Sequence, residues 1–250
     1  MLAELRMKLD VDKTEFGCYQ SSNMQGILME QIDVAYAARL HEQGLKPYSQ
    51  YLLIGKEKEW IVKTCTEEAY EKVILPLASQ QFAQFVIEKK NISIKIKEKQ
   101  IKTVDKNDLL NEFYSVGGSR YLNLEFLTPA SFKSHGRYVI MPDTRYIYQS
   151  LMNKYSASSD GMDMYDEETL EQLADSSSII QYRLRSTFFS AEGVRIPSFK
   201  GEVCIKVSGT DTMARYARLL ARFGEYSGVG IKTAMGMGAL RLGERGQTND

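Results

Sequence analysis

The chain opens with an alternation. In residues 2–9 (LAELRMKL) apolar and polar positions trade places, the period of a half-buried strand. From Met24 to Gln43 the spacing becomes helical. Ile27, Val34 and Ala38 share one side, with Leu28, Ile32 and Ala35 beside them. Gly44 then stands where a helix-ending glycine belongs, and Pro47 blocks continuation. Short strands are predicted at 50–55 and 59–65, a helix at 67–77, and one long alternating strand over 84–103.

After Gly117-Gly118-Ser119 the pattern restarts. A strand at 121–129 has a hairpin partner at 137–142. Helices follow at 143–155 and 166–175, separated by a Ser/Asp/Gly loop. Strands at 179–189 and 202–208 precede a helix from Thr210 to Tyr226, a glycine-rich loop and a closing strand at 239–242. Each half runs in roughly β-α-β-β-α-β order, the ferredoxin-like motif. The expected fold is α+β, two tandem ferredoxin-like (RRM-like) βαββαβ domains over residues 1–115 and 116–250. The second carries a helical insertion at 143–176.

Composition narrows the class. With 250 residues, 43% of them hydrophobic and 26% charged, the chain is long enough for one or two packed cores and too apolar to be disordered. No run of ~18 apolar residues exists to span a bilayer, and the N-terminus lacks the apolar core of a signal peptide, so a cytoplasmic protein is expected. Cys18, Cys65 and Cys204 are scattered and odd in number, which reads as free thiols. The 32 basic and 32 acidic residues cancel, but unevenly. Residues 151–176 hold seven acids against Lys154, whereas 177–250 hold eleven bases against six acids. A neutral total conceals a basic half.

The most specific feature is Gly228-Val-Gly230-Ile-Lys232-Thr233-Ala-Met-Gly236-Met-Gly238. A dinucleotide fingerprint needs a third glycine where Thr233 stands and must open a helix; a P-loop needs adjacent Gly-Lys, which Ile231 interrupts. What remains is either a tight packed turn or a loop whose amides approach phosphate without Cβ obstruction, Lys232 and Thr233 adding a charge and a hydroxyl.

GVGIKTAMGMGAL resembles the C-terminal glycine-rich signature of the repeat-associated mysterious protein superfamily, and in particular its sixth Cas family, the CRISPR-associated endoribonucleases. Three further stretches agree in order: MQGILMEQIDVAYAARLHEQGLKPYS with its His-ending helix, FLTPASFKSHGRYVIMPDTRYIYQSLMNKY, and RIPSFKGEVCIKVSG. The resemblance implies cleavage of CRISPR precursor RNA within repeats, by 2′-OH attack, to a 2′,3′-cyclic phosphate and a 5′-OH. Neither metal nor cofactor is needed. It implies the precursor RNA as partner and transient contact with an effector complex. It leaves room for a homodimer and requires no membrane.

His41 is the general acid/base that the resemblance implies; read alone, a His in a last helical turn is a capping cation that complements the helix dipole. Lys46, five residues on, is the candidate for stabilising the pentavalent phosphate, or an exposed loop lysine. Tyr36 and Tyr48 are candidate helpers. Gln25 holds the earlier helix position where some relatives have a Tyr. For RNA binding the candidates are Lys133, His135 and Arg137 beside Phe132, Arg183 on a later strand, and Gly228, Gly230, Lys232, Thr233, Gly236 and Gly238. Arg215, Arg218 and Arg222 share one helix face, read either as solvated or as a phosphate-contacting stripe next to the glycine loop. Asp163, Asp166, Glu167 and Glu168 read as a solvated helix start. A non-catalytic RNA-binding subunit of an effector complex is the rival. A phosphodiesterase with paired His-x-Thr/Ser motifs is excluded, since Glu-Gln follows His41 and Gly-Arg follows His135.

Overall fold

The computed structural model describes residues 1–11, 16–42, 44–115, 119–158, 165–191 and 193–243. Gln43, Gly117, Gly118 and Asp163, named above, lie outside them, as does the side chain of Cys18.

The first unit contains β1 (Leu2–Asp10), α1 (Ser21–Gln31), α2 (Val34–Glu42), β2 (Tyr48–Ile54) and β3 (Lys58–Thr64). Then come α3 (Glu67–Ala69), a π turn (Tyr70–Ile74), α4 (Leu75–Ala78), β4 (Gln84–Ile87) and β5 (Ile92–Val104). The strands form one antiparallel sheet in the order β2-β3-β1-β5-β4. This is the ferredoxin-like order with one added edge strand.

Two expectations are corrected here. The helix predicted over Met24–Gln43 is broken. Ile32 is extended, and the Asp33 carboxylate accepts the Tyr36 amide at 2.9 Å, capping a new helix. Residues on either side of the break therefore do not share a phase: Ile27 is buried, but Val34 is 83% exposed. The strand predicted over 84–103 is a hairpin. Asn91 takes the left-handed conformation (φ 48°), which Asn tolerates, and turns the chain between β4 and β5.

The second unit contains α5 (Lys106–Ser115), β6 (Tyr121–Ala130), the small hairpin β7 (Phe132–Ser134) and β8 (Arg137–Val139), α6 (Thr144–Ser158) and α7 (Glu167–Asp175). It closes with β9 (Ser177–Ala191), β10 (Val194–Val207), α8 (Asp211–Ser227), a 3-10 turn (Thr233–Met235) and β11 (Leu240–Gly243). Its sheet order, β11-β6-β10-β9, repeats the motif. The fold is thus two tandem ferredoxin-like units. β10 begins well before the predicted residue 202, because the RIPSFK segment pairs with β9 throughout. α5, inside the expected first domain of residues 1–115, instead packs on the second core through Leu109, Leu110 and Phe113. Asp166 caps α7 by accepting the Thr169 amide at 2.8 Å, the role of a helix start.

The two units meet on buried polar bonds. Gln50 donates to the carbonyls of Ser21 (2.7 Å) and Ala234 (3.1 Å) and accepts from the Trp60 indole at 2.9 Å. Ser49 donates to the Tyr226 carbonyl at 2.6 Å. Lys63, 7% exposed, pairs with Glu4 at 2.8 Å and donates to the Glu225 carbonyl at 2.9 Å. The glycine-rich loop is therefore seated on β2 of the first unit.

Candidate active site

His41 occupies the last turn of α2. Tyr36 and Leu40 turn into the first core, whereas Val34, Ala38 and His41 face solvent. The helix thus presents the imidazole outward. Arg39 lies 4.9 Å over the Tyr36 ring and pairs with Glu68. Lys46, half-buried, sits in the connection to β2, and burial pulls its ammonium below the ordinary lysine range.

The tyrosines are recessed. Tyr36 is 4% exposed, and burial pushes its hydroxyl up to about 12. Tyr48 is fully buried, its hydroxyl 3.4 Å from the Gln25 amide, and burial raises it further. Neither offers a hydroxyl to a ligand arriving from solvent.

Leu45, between His41 and Lys46, connects this segment to the second unit. It lines a cleft shared with Lys133 of the small hairpin and with Gly230 and Ile231 of the glycine loop. Lys133, His135 and Arg137 are all exposed. The hairpin turns on His135 (φ 48°) and Gly136 (φ 77°), two successive left-handed residues, and the His135 Nδ1 lies 3.0 Å from the Ser134 hydroxyl. Phe132 is corrected. It is 4% exposed and stacks on Tyr146 and Phe199, so Tyr138, 39% exposed, is the aromatic this hairpin offers to solvent.

The glycine loop also differs from expectation. The amides of its glycines are spent inside the protein. Gly228 donates to the Gly224 carbonyl, Gly230 to the Ser150 hydroxyl, Gly236 to the Thr233 carbonyl and Gly238 to the Pro129 carbonyl. Gly228, Gly236 and Gly238 are buried, and so is Thr233, whose hydroxyl accepts from Lys154 at 3.2 Å. These four glycine amides and the Thr233 hydroxyl are thus engaged in close packing. A Cβ on Gly236 would lie 2.3 Å from that of Ser21, across the boundary between the units. Lys232 is the exposed residue of the loop.

Arg183 is exposed on β9 opposite Glu202, in a separate groove of ≈430 Å³ lined also by Gln181 and Cys204. That groove shares no lining residue with the cleft at Leu45. Arg215, Arg218 and Arg222 are half-buried rather than solvated, and Arg222 pairs with Glu225 at 3.2 Å. Among the described residues no group of three His, Cys, Asp or Glu is arranged to hold a metal ion. No helix among them is long and apolar enough to cross a membrane.

Sequence reasoning missed Lys154. It is 6% exposed and donates toward the carbonyls of Ser227 (3.4 Å) and Gly228 (3.1 Å) as well as to Thr233. It thereby braces the start of the glycine loop from α6. A lone base within an acidic stretch was the only signal. Burial pulls its ammonium down to about 7 from 10.5; as a neutral amine it still donates two bonds. The unfolded chain then holds the extra proton between these values, so stability rises with pH across that window. We expect the unfolding free energy from urea titration to climb between pH 7 and 9, by up to about 1.4 kcal/mol per pH unit. The profile of Lys154→Met is flatter; an equal slope in both proteins assigns the rise to other groups.

The described geometry is that of a known family. Residues 124–240 match the profile of CRISPR-associated endoribonuclease Cas6. The chain is 37% identical over 227 residues to a Streptococcus thermophilus protein of that name, spanning 88% of this chain and 90% of the relative. It is 36% identical over 222 residues to one from Mycobacterium tuberculosis, spanning 88% and 70%. A Thermus thermophilus Cas6 product complex superposes with a TM-score of 0.80 at 21% identity, covering 97% of this chain and all of the other. Matched across both units and through the glycine loop, the chain belongs to the Cas6 family of CRISPR-associated endoribonucleases.

Proposed function

We propose that this protein cuts CRISPR precursor RNA within its repeats, without a metal ion, by attack of a ribose 2′-oxygen on the adjacent phosphodiester. The observation that carries this reading is the shared cleft at Leu45. It brings the His41–Lys46 connection beside the basic hairpin and the glycine loop. His41, solvent-facing, takes the 2′-OH proton or delivers one to the departing 5′-oxygen, and solvent water carries the other proton. The O2′–P bond forms as the P–O5′ bond breaks. Lys46 neutralises charge on the pentavalent phosphate. RNA supplies its own nucleophile, so the chemistry asks the protein for proton transfer, charge and alignment only. End analysis of the cut strand tests this. A 2′,3′-cyclic phosphate upstream and a 5′-hydroxyl downstream are expected; a 5′-phosphate overturns it. The products pass as guide RNAs to an effector complex in the cytoplasm, with a homodimer as a further assembly.

Lys133, His135, Arg137 and Lys232 form the binding face in this reading, and Arg183 lines an outlying groove for a more distant RNA segment. The glycines shape the loop that carries Lys232. Lys232→Ala is expected to weaken repeat binding and lower the slope of log K against log salt by about 1. An unchanged slope measured by filter binding removes Lys232 from the interface.

A further inference from the structure

We propose that the cleft at Leu45 is a pocket for one unpaired nucleobase next to the scissile phosphodiester, and that it sets sequence preference at the cut. This rests on the cleavage reading above. The cleft encloses ≈180 Å³, below the roughly 300–1,000 Å³ of sites for drug-sized ligands. One flat ring system fits its scale, with sugar and phosphate left outside.

Its walls have the chemistry of base recognition. α6 supplies Tyr146, Gln149 and Asn153 at successive turns on one side of the helix. The Tyr146 ring is half-exposed and backed by Phe132, with centroids 5.9 Å apart, so it is a rigid stacking platform. Gln149 hydrogen-bonds with the Tyr165 hydroxyl; the exposed Asn153 amide offers both a donor and an acceptor to a base edge. Leu45 and Ile231 supply apolar wall, and Lys133 at the rim meets phosphate. The floor is held by the Gly230 amide bond to Ser150 at 2.8 Å. A Cβ on Gly230 would lie 2.4 Å from the Ser131 carbonyl, so the loop cannot take a side chain there without shifting. Leu45 lies one residue from Lys46 and four from His41. In this proposal a base in the pocket belongs to a nucleotide at or beside the reacting phosphate.

The experiment compares cleavage of native repeat RNA with repeats made abasic at either nucleotide flanking the cut. Wild-type protein, Tyr146→Ala and Asn153→Ala are assayed on each. Losing a stacked base is worth about 5- to 150-fold. One abasic position is expected to lower wild-type kcat/KM within that range. Both variants are expected to slow the native repeat and to leave that abasic repeat within twofold of wild type, the base having already been removed. Tyr146 also packs on Phe132, so the exposed Asn153 keeps the test independent of folding. Equal wild-type cleavage of native and abasic repeats overturns the pocket. So does a variant that slows native and abasic RNA alike, which is the signature of a structural role. Wild-type protein that cuts no repeat instead overturns the cleavage reading on which the pocket rests.

Discussion

Replacing His41 with alanine is expected to slow repeat cleavage by about 10²- to 10⁴-fold, the range that one positioned general acid or base contributes. RNA affinity should move by no more than a few-fold. The asymmetry follows from placement. His41 is exposed at the end of α2, and its helix is held by Tyr36 and Leu40, which point the other way into the core. Removing the imidazole therefore leaves no buried cavity. The bulk of the proposed RNA charge contacts lies elsewhere, on Lys133, Arg137 and Lys232. The tyrosines that sequence suggested as helpers are recessed, so a large residual rate from Tyr36 or Tyr48 is not expected. Single-turnover cleavage alongside direct binding separates the two effects. Cleavage within a few-fold of wild type would remove His41 from the chemistry.

Gly238→Ala is expected to carry the largest stability loss of any single methyl addition in the glycine loop. Gly238 sits at φ 63°, and a Cβ there would lie 1.9 Å from the Val229 carbonyl oxygen, which is backbone and has nowhere to go. The left-handed conformation alone costs a non-glycine residue about 1–2 kcal/mol, and relieving the clash strains the Val229 amide bond to the Gly238 carbonyl at 2.8 Å. A total of about 3 kcal/mol or more is expected. The control is Gly136→Ala in the β7–β8 turn. Gly136 also has a positive φ, 77°, but nothing lies within 4 Å of its added Cβ. Its loss should stay near the 1–2 kcal/mol conformational cost. Denaturation midpoints of the two variants separate close approach from backbone preference. Equal losses would show that the tight packing at Gly238 contributes nothing.

The alternating strands and the final helix were legible because both faces of each element see one environment each. α8 runs from Asp211 to Ser227, capped by Thr210 accepting the Met213 amide at 3.2 Å, close to the predicted span. Errors arose where one polar residue outweighed periodicity. Asp33 split a pattern that is helical on both sides, and Asn91 folded an alternating run into a hairpin. Neither the cap nor the left-handed turn changes the apolar spacing, so the spacing did not reveal them. The site was legible only in part. The glycine loop stood out by residue type and His41 and Lys46 only through the family resemblance, and the role of each glycine depends on which backbone it approaches. Ser21 against Gly236, and Val229 against Gly238, are contacts that no spacing encodes. Lys154 was hidden for the same reason, since its partners lie more than seventy residues downstream. Phe132 looked like a stacking residue beside basic neighbours, but strand alternation turns it inward while Lys133 turns out.

The central claim, cleavage by the RNA's own 2′-hydroxyl without a metal ion, is tested most directly with labelled repeat RNA in excess EDTA. The native repeat is compared with one carrying a single 2′-deoxy substitution at the cut. A single cut of the native RNA, abolished by the deoxy substitution, is the predicted result. Cleavage that persists in the deoxy RNA, or that disappears with EDTA, would contradict it, and so would tight binding of both RNAs with no cleavage of either.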